Sequence, residues 1–153
     1  MDFDAKIEEL FIELQEPPSE RGSVQAVTRT GNMLEVAQAL PYASGRVHHQ
    51  GRVGIEVKQD TAKLAARMAA VMALSHASHF LGGSFSKVKR VVHISGFIAC
   101  GADFKDHDKV LDGASDLMGD IFGPAGKHTR TAVGVASLPQ NACVSISVTF
   151  ELK

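Results

Sequence analysis

A chain of 153 residues, 44% hydrophobic and 22% charged, suits one domain with a real core and excludes a disordered segment. Its formal net charge of -1 provides no field to draw it to nucleic acid. Its apolar stretches meet Lys, Arg or His before reaching the roughly 20 residues of a bilayer span.

Taken in chain order, Asp4 to Leu14 places Ile7, Leu10, Phe11 and Leu14 at helical spacing opposite Glu8, Glu9 and Glu13. That predicts a short amphipathic helix with an acidic first half. Glu16-Pro17-Pro18-Ser19 ends it, because proline restricts the residue before it and cannot continue a helix. Residues 1–17 therefore read as a helical extension of a single domain covering 1–153. Ser23–Thr28 and Asn32–Leu40 read as strands joined through Arg29-Thr30-Gly31-Asn32, where the Gly-Asn pair can supply positive φ. Pro41 to Gly54 has no period and reads as loop, with Ile55 and Val57 in a short strand or bulge.

Asp60 to Leu81 is the clearest helix. Thr61 or Asp60 can cap it, and Leu64, Met68, Val71, Met72 and Ser75 line one face. Ala62, Ala65, Ala66, Ala69, Ala70 and Ala73 add helix propensity and permit close packing on a sheet. Gly82-Gly83 ends it. Val88–Ala99 is a β-rich run, and Asp106–Phe122 is a second helix with Val110, Leu111, Ala114, Leu117, Met118 and Ile121 inward. After the break at Gly123-Pro124-Ala125-Gly126, Thr129–Ala136 and Ala142–Leu152 form the last strands, around Leu138-Pro139-Gln140-Asn141. The order predicts an α+β fold, with two helices on one face of a mixed sheet. Cys143, Val144, Ile146, Val148 and Phe150 read as apolar on both faces of the last strand, so a neighbouring subunit is expected to cover the other sheet face.

The loop after Phe122 delivers Arg130 to the start of a strand, beside Thr131. A guanidinium there can grip a carboxylate in a two-point fork, and it can equally form an ordinary surface ion pair. Among seven histidines, His76 and His79 share a helix face and His48-His49 lie in a loop. Tight zinc sites need three or four ligands at defined spacing, and no HExxH or CxxC accompanies these, so no metal is expected. Cys100 and Cys143 read as small buried side chains, or as reactive thiols if a positive charge stands near. Met1-Asp2-Phe3-Asp4 has no basic leader pattern, so a cytoplasmic setting with reduced thiols is expected. Lys87, Lys89 and Arg90 form a small basic cluster, but one tyrosine gives no stacking platform for RNA.

Lys127-His-Thr-Arg-Thr-Ala-Val-Gly-Val-Ala-Ser-Leu-Pro139 resembles the (A/P)-R-(S/T)-x-V-x-V-x-x-L-P signature of the Rid (YjgF, L-PSP) family. Arg29-Thr-Gly-Asn-Met-Leu34, Val88-Lys-Arg-Val-Val92 and Val110-Leu-Asp-Gly-Ala-Ser-Asp-Leu117 extend the likeness collinearly from about Pro18 to Leu152. The resemblance implies a chorismate-mutase-like fold, a homotrimer, and clefts between subunits. In those clefts the arginine matching Arg130 holds the carboxylate of a 2-imino or enamino acid, water attacks the imine carbon, and a 2-oxo acid and ammonia leave. Thr131 would supply a hydroxyl or amide contact, and the backbone at Ala132 would orient the substrate nitrogen or water. No metal or organic cofactor is implied. Four further positions of the family site fall on Ser23 (a tyrosine in deaminating members), Gln38 (in Ala37-Gln38-Ala39, where deaminating members carry Ser-Gly-Gln), Ser145 (a glutamate) and, near the second helix's asparagine, Asp112. The expected partners are a small carboxylate-bearing metabolite and other copies of the chain, without nucleic acid or membrane. Beside hydrolytic deamination stand two alternatives: a non-catalytic, metabolite-binding regulatory trimer, and an endoribonuclease-type activity.

Overall fold

In the computed structural model, which describes residues 1–153, side-chain alternation in the last strand sets the layering. Along β7 (Val144–Leu152), Val144, Ile146, Val148, Phe150 and Leu152 are buried against helices, and Ser145, Ser147, Thr149 and Glu151 occupy the other face. The expectation of apolar side chains on both faces of this strand is therefore corrected: its open face is hydroxyl-rich. β7 is central in a sheet that also holds β1 (Val27–Thr30), β2 (Met33–Ala39), β5 (Val88–Ala99) and β6 (Thr129–Val135). The order is β1-β2-β7-β5-β6. Only β5 and β6 run parallel, joined by α3 (His107–Phe122), while the other pairs are antiparallel.

α2 (Gln59–Phe80) and α3 cover one face, as the element order predicts. All six inward residues expected of α3 are buried. In α2 the inner face is mostly alanine, with Met72 and Leu74, whereas Leu64 points outward at 59% exposure. Small side chains bring this helix near the sheet; of the residues expected on its face, Met72 and Ser75 are buried there, Met68 and Val71 are half-buried, and Leu64 faces solvent. Glycines continue the theme. A Cβ on Gly113 would run into the Lys63 carbonyl of α2, and one on Gly96 would run into Leu111.

Three further elements depart from the sequence reading. The N-terminal helix, α1 (Phe3–Glu9), stops before Leu14 because Phe11 turns to φ +55. Ile12 N–H then donates to Ile7 O at 3.1 Å and Phe11 N–H to Glu8 O at 3.0 Å, a Schellman closure made without glycine. This turn lets Leu10, Ile12 and Leu14 reach the core edge while Phe11 stays exposed. The first strand begins at Val27 rather than Ser23 and includes Arg29 and Thr30. Within Pro41 to Gly54, β3 (Tyr42–Ala43) and β4 (Arg46–Val47) form a hairpin around Ser44 and Gly45, with φ of 53 and 83.

α1 packs on its own chain. Phe3 meets the Phe122 ring at 4.7 Å, and the Asp4 carboxylate accepts from the Ser84 hydroxyl at 2.6 Å and Phe85 N–H at 3.0 Å. No helix is long and apolar enough to cross a membrane. Gly113→Ala should lower stability by roughly 1–3 kcal/mol, because the added methyl meets backbone that cannot rotate away. A urea midpoint equal to wild type would show that α2 and α3 separate without cost.

Candidate functional site

Arg130 lies on the edge strand β6 in register with buried Ile94 of β5, so its side chain leaves the sheet on the helix side. There its guanidinium is gripped by α3. Nη1 donates to Asp112 Oδ1 at 2.9 Å and to Ser115 Oγ at 3.0 Å. Nη2 donates to Asp108 Oδ1 at 3.2 Å and to the Asp108 carbonyl at 3.3 Å. Asp108, Asp112 and Ser115 follow one another by four and three residues, one stripe of a helix. The network continues beyond serine. His128 Nδ1 lies 2.6 Å from the Gly126 carbonyl and Nε2 lies 2.9 Å from Ser115 Oγ. A carbonyl only accepts, so a ring proton is assigned to Nδ1, and in that tautomer Ser115 can donate to Nε2.

The exposures decide what this site can do. The Arg130 side chain is 20% exposed, Asp112 46% and Asp108 81%. An ion pair with so exposed a partner is worth about 0–1 kcal/mol, so the Nη2 half of the fork can exchange Asp108 for another carboxylate at little cost. The Nη1 half is held more firmly, by a second carboxylate and a hydroxyl together.

The structure joins Arg130 and Asp112 directly. Thr131 pairs with Ser95 and Ala132 with Gly96, so the Thr131 hydroxyl stands on the sheet face opposite the guanidinium, and Ala132 shares the Arg130 side. Ser145 is buried on β7, in register with Phe97. Gln38 sits at a β2 bulge with φ +47 and donates its N–H to Ser147 Oγ at 3.2 Å. β2 is three strands from β6, roughly 14 Å at ordinary strand spacing, and Ser23 lies farther out before β1. Within one chain, then, Ser23, Gln38 and Ser145 do not meet Arg130. Asp108, Ser115 and His128 went unnoticed in the sequence, although the helical spacing of the first two with Asp112 was a readable signal.

Elsewhere, an open cavity of about 370 Å³ separates Pro17, Pro18 and Glu20 from His76, His79 and Phe80 of α2. The two histidines share a helix face, as their spacing predicts, and no group of three or more His, Cys, Asp or Glu side chains is disposed to hold a metal. Burial pushes the His76 pKa down; the Glu20 carboxylate opposes that, and His79 adds to it. Cys143 is fully buried, and burial pushes its thiol up to about 11. The Arg90 guanidinium at 2.7 Å, with Lys89 behind it, holds the Glu151 carboxyl below the usual range. Since folded His76 binds its proton less readily than the unfolded chain does, its contribution is complete above pH 6.5 and lost as pH falls below it. The urea midpoint should drop as pH falls below about 6.5, and His76→Gln should flatten the drop. An unchanged slope in that variant would assign the effect to other groups.

Residues 5–152 match the family model described as "YjgF/chorismate mutase-like, putative endoribonuclease". The Trypanosoma cruzi protein TCP17 is 32% identical over 149 residues, spanning 97% of this chain and 92% of that protein. Among solved structures, Atu1372 from Agrobacterium tumefaciens is 35% identical with a TM-score of 0.89, covering 98% of this chain and 91% of its own. A Shewanella oneidensis protein is 26% identical with a TM-score of 0.94, covering 99% and 100%. Solved structures at 20–23% identity and TM-scores of 0.58–0.61 share the fold alone.

Proposed function

The chain belongs to the YjgF/chorismate mutase-like family, and from that premise we propose that it hydrolyses small 2-imino or enamino acids to 2-oxo acids and ammonia as a homotrimer, with Arg130 as the carboxylate clamp. The observation that carries the reading is a guanidinium fixed on a sheet edge by Asp112 and Ser115, with the other half of its fork held only by the highly exposed Asp108. A substrate carboxylate displaces Asp108 and takes Nη2, which orients the imine carbon for attack.

Water oxygen bonds to that carbon while the C=N electron pair moves to nitrogen, which takes a proton. Loss of ammonia from the resulting carbinolamine leaves the 2-oxo acid. The attacking water must lose a proton, and Ser115 with neutral His128 offers a route: the hydroxyl relays the proton to Nε2. This pair does the work assigned to the glutamate of deaminating relatives, whose position here is the buried Ser145.

A second reading has its own support. Two carboxylates already occupy the guanidinium, as in a site that exchanges one carboxylate for another without turnover, which suits a metabolite-binding regulatory trimer. Ribonuclease activity has less behind it, because Lys89 and Arg90 are engaged by Glu151 at 3.6 and 2.7 Å.

The test is 2-oxo acid release from freshly generated 2-aminoacrylate. Arg130→Ala should cost about 1–2 kcal/mol of stability, remain folded, and lose activity by on the order of a hundredfold or more. Asp108→Asn should lower KM several-fold by removing the competing carboxylate. Wild-type release no faster than buffer, together with Arg130-dependent calorimetric binding of a 2-oxo acid, would replace hydrolysis with the regulatory reading.

A further inference from the structure

At the other end of the β5–β6 pair a second reactive arrangement stands apart from Arg130. Cys100 follows the last residue of β5, where its N–H donates to the Val135 carbonyl at 3.1 Å and a bridge to Val53 holds its other side. His107 is the first residue of α3, and its Nε2 lies 3.6 Å from Cys100 Sγ. The Phe104 ring packs edge-on against the imidazole with centroids 5.3 Å apart, which fixes the plane of the base. Beneath both side chains is Gly134, where a Cβ would come within 2.6 Å of His107 Nε2 and 2.9 Å of Cys100 Sγ. Glycine at this strand position leaves the room in which thiol and imidazole meet, although its backbone needs no unusual φ.

The pair is not sealed in the core. Both side chains are half-buried and line an open cleft of about 410 Å³, together with Ala102, Phe104 and Lys105. No carboxylate lines this cleft, while Lys105 brings a positive charge to it. The other cysteine gives an internal contrast: Cys143 is fully buried, and its thiol is held up near 11.

We propose that Cys100 and His107 form a nucleophile–base pair that undergoes thiol–disulfide exchange with small anionic disulfides bound in this cleft. The Cys100 S–H proton passes to His107 Nε2 as the sulfur attacks one sulfur of the disulfide RS–SR. A Cys100–S–SR bond forms, the RS–SR bond breaks, and the departing thiolate takes the proton from the imidazolium to leave as RSH. The small-molecule disulfide is the oxidant, Cys100 sulfur is oxidised, and one thiol is released for each modified chain. The cleft gives the attached group a place to lie against Phe104, with its carboxylate toward Lys105.

The experiment mixes the native chain with dithiobis-nitrobenzoate, a disulfide carrying two carboxylates, and follows the coloured thiolate that the released aryl thiol becomes on giving its proton to buffer. Intact-mass and peptide analysis then locate the adduct. One equivalent should be released, with the adduct on Cys100 alone; Cys100→Ser should abolish release and Cys143→Ala should leave its rate unchanged. His107→Gln should slow it by at least about tenfold. Gly134→Ala, whose methyl separates the pair, should slow it comparably while circular dichroism reports a folded chain. Oxidised glutathione should give the same adduct more slowly. A native Cys100 that does not react, or one that reacts at the wild-type rate in both His107→Gln and Gly134→Ala, would overturn the assignment.

Discussion

The position of α3 over the sheet rests on two contacts that only glycine allows: Leu111 seated on Gly96 of β5, and the Lys63 carbonyl of α2 against Gly113. Together they fix the helix in two directions, down onto the strand and sideways against its neighbour. Everything chemical in the chain follows from that placement. With α3 so held, Asp108, Asp112 and Ser115 fall within reach of Arg130, and His107 falls beside Cys100. Dispersion and burial supply the energy, each large buried side chain contributing about 1.5–3 kcal/mol. The glycines contribute geometry. A helix lifted by one methyl would keep most of its hydrophobic burial and misplace its polar stripe.

Arg130 shows how a cation is held half-buried without being made inert. Had both partners been sealed inside, breaking the pair would cost several kcal/mol and the arginine would be structural. Here Asp112 and Ser115 hold one nitrogen, while Asp108 holds the other from a largely solvated position. The guanidinium is thus oriented by one half of its partners and available through the other. Ser115 has a double role in this geometry, since it accepts from the cation and donates to His128. An imidazole is thereby linked to the guanidinium through a single hydroxyl.

What could be read from the sequence was what neighbouring residues decide. β5 begins and ends where the β-rich run does, and α3 is displaced by one residue from the predicted start, because local period and breaker residues set both. The misread segments turn on positive φ at ordinary residues. Phe11 ends α1 early and Ser44 turns the β3–β4 hairpin, and neither side chain advertises that backbone. On α2 the expected face holds at Met72 and Ser75 and fails at Leu64 for another reason: hydrophobicity ranks leucine above alanine, whereas close approach to a sheet selects the smaller side chain, so Leu64 turns outward. At the site, Arg130 was found from the strand it opens and from the family pattern around it. Of its partners only Asp112 was, from the same family pattern; Asp108, Ser115 and His128 were not, because the angle at which α3 crosses β6 determines which helical stripe meets the arginine.

The first turn of α3 joins the two chemical regions. His107 and Asp108 are consecutive, so their side chains leave the helix about 100° apart, one toward Cys100 and the other toward Arg130. Along β6 the corresponding anchors are Gly134 and Arg130, roughly 13 Å apart at strand rise. A crossover from β5 through α3 to β6 places the helix start above the carboxyl ends of two parallel strands, where α/β units commonly gather ligands. The arginine lies near the opposite end of its strand and reaches the same turn only because its side chain is long. Releasing Asp108 from Nη2 frees the residue next to His107, while the backbone of that turn remains held by Val110 N–H donating to the Asp106 carbonyl. One helical turn thus supplies a partner to each region, His107 to Cys100 and Asp108 to Arg130.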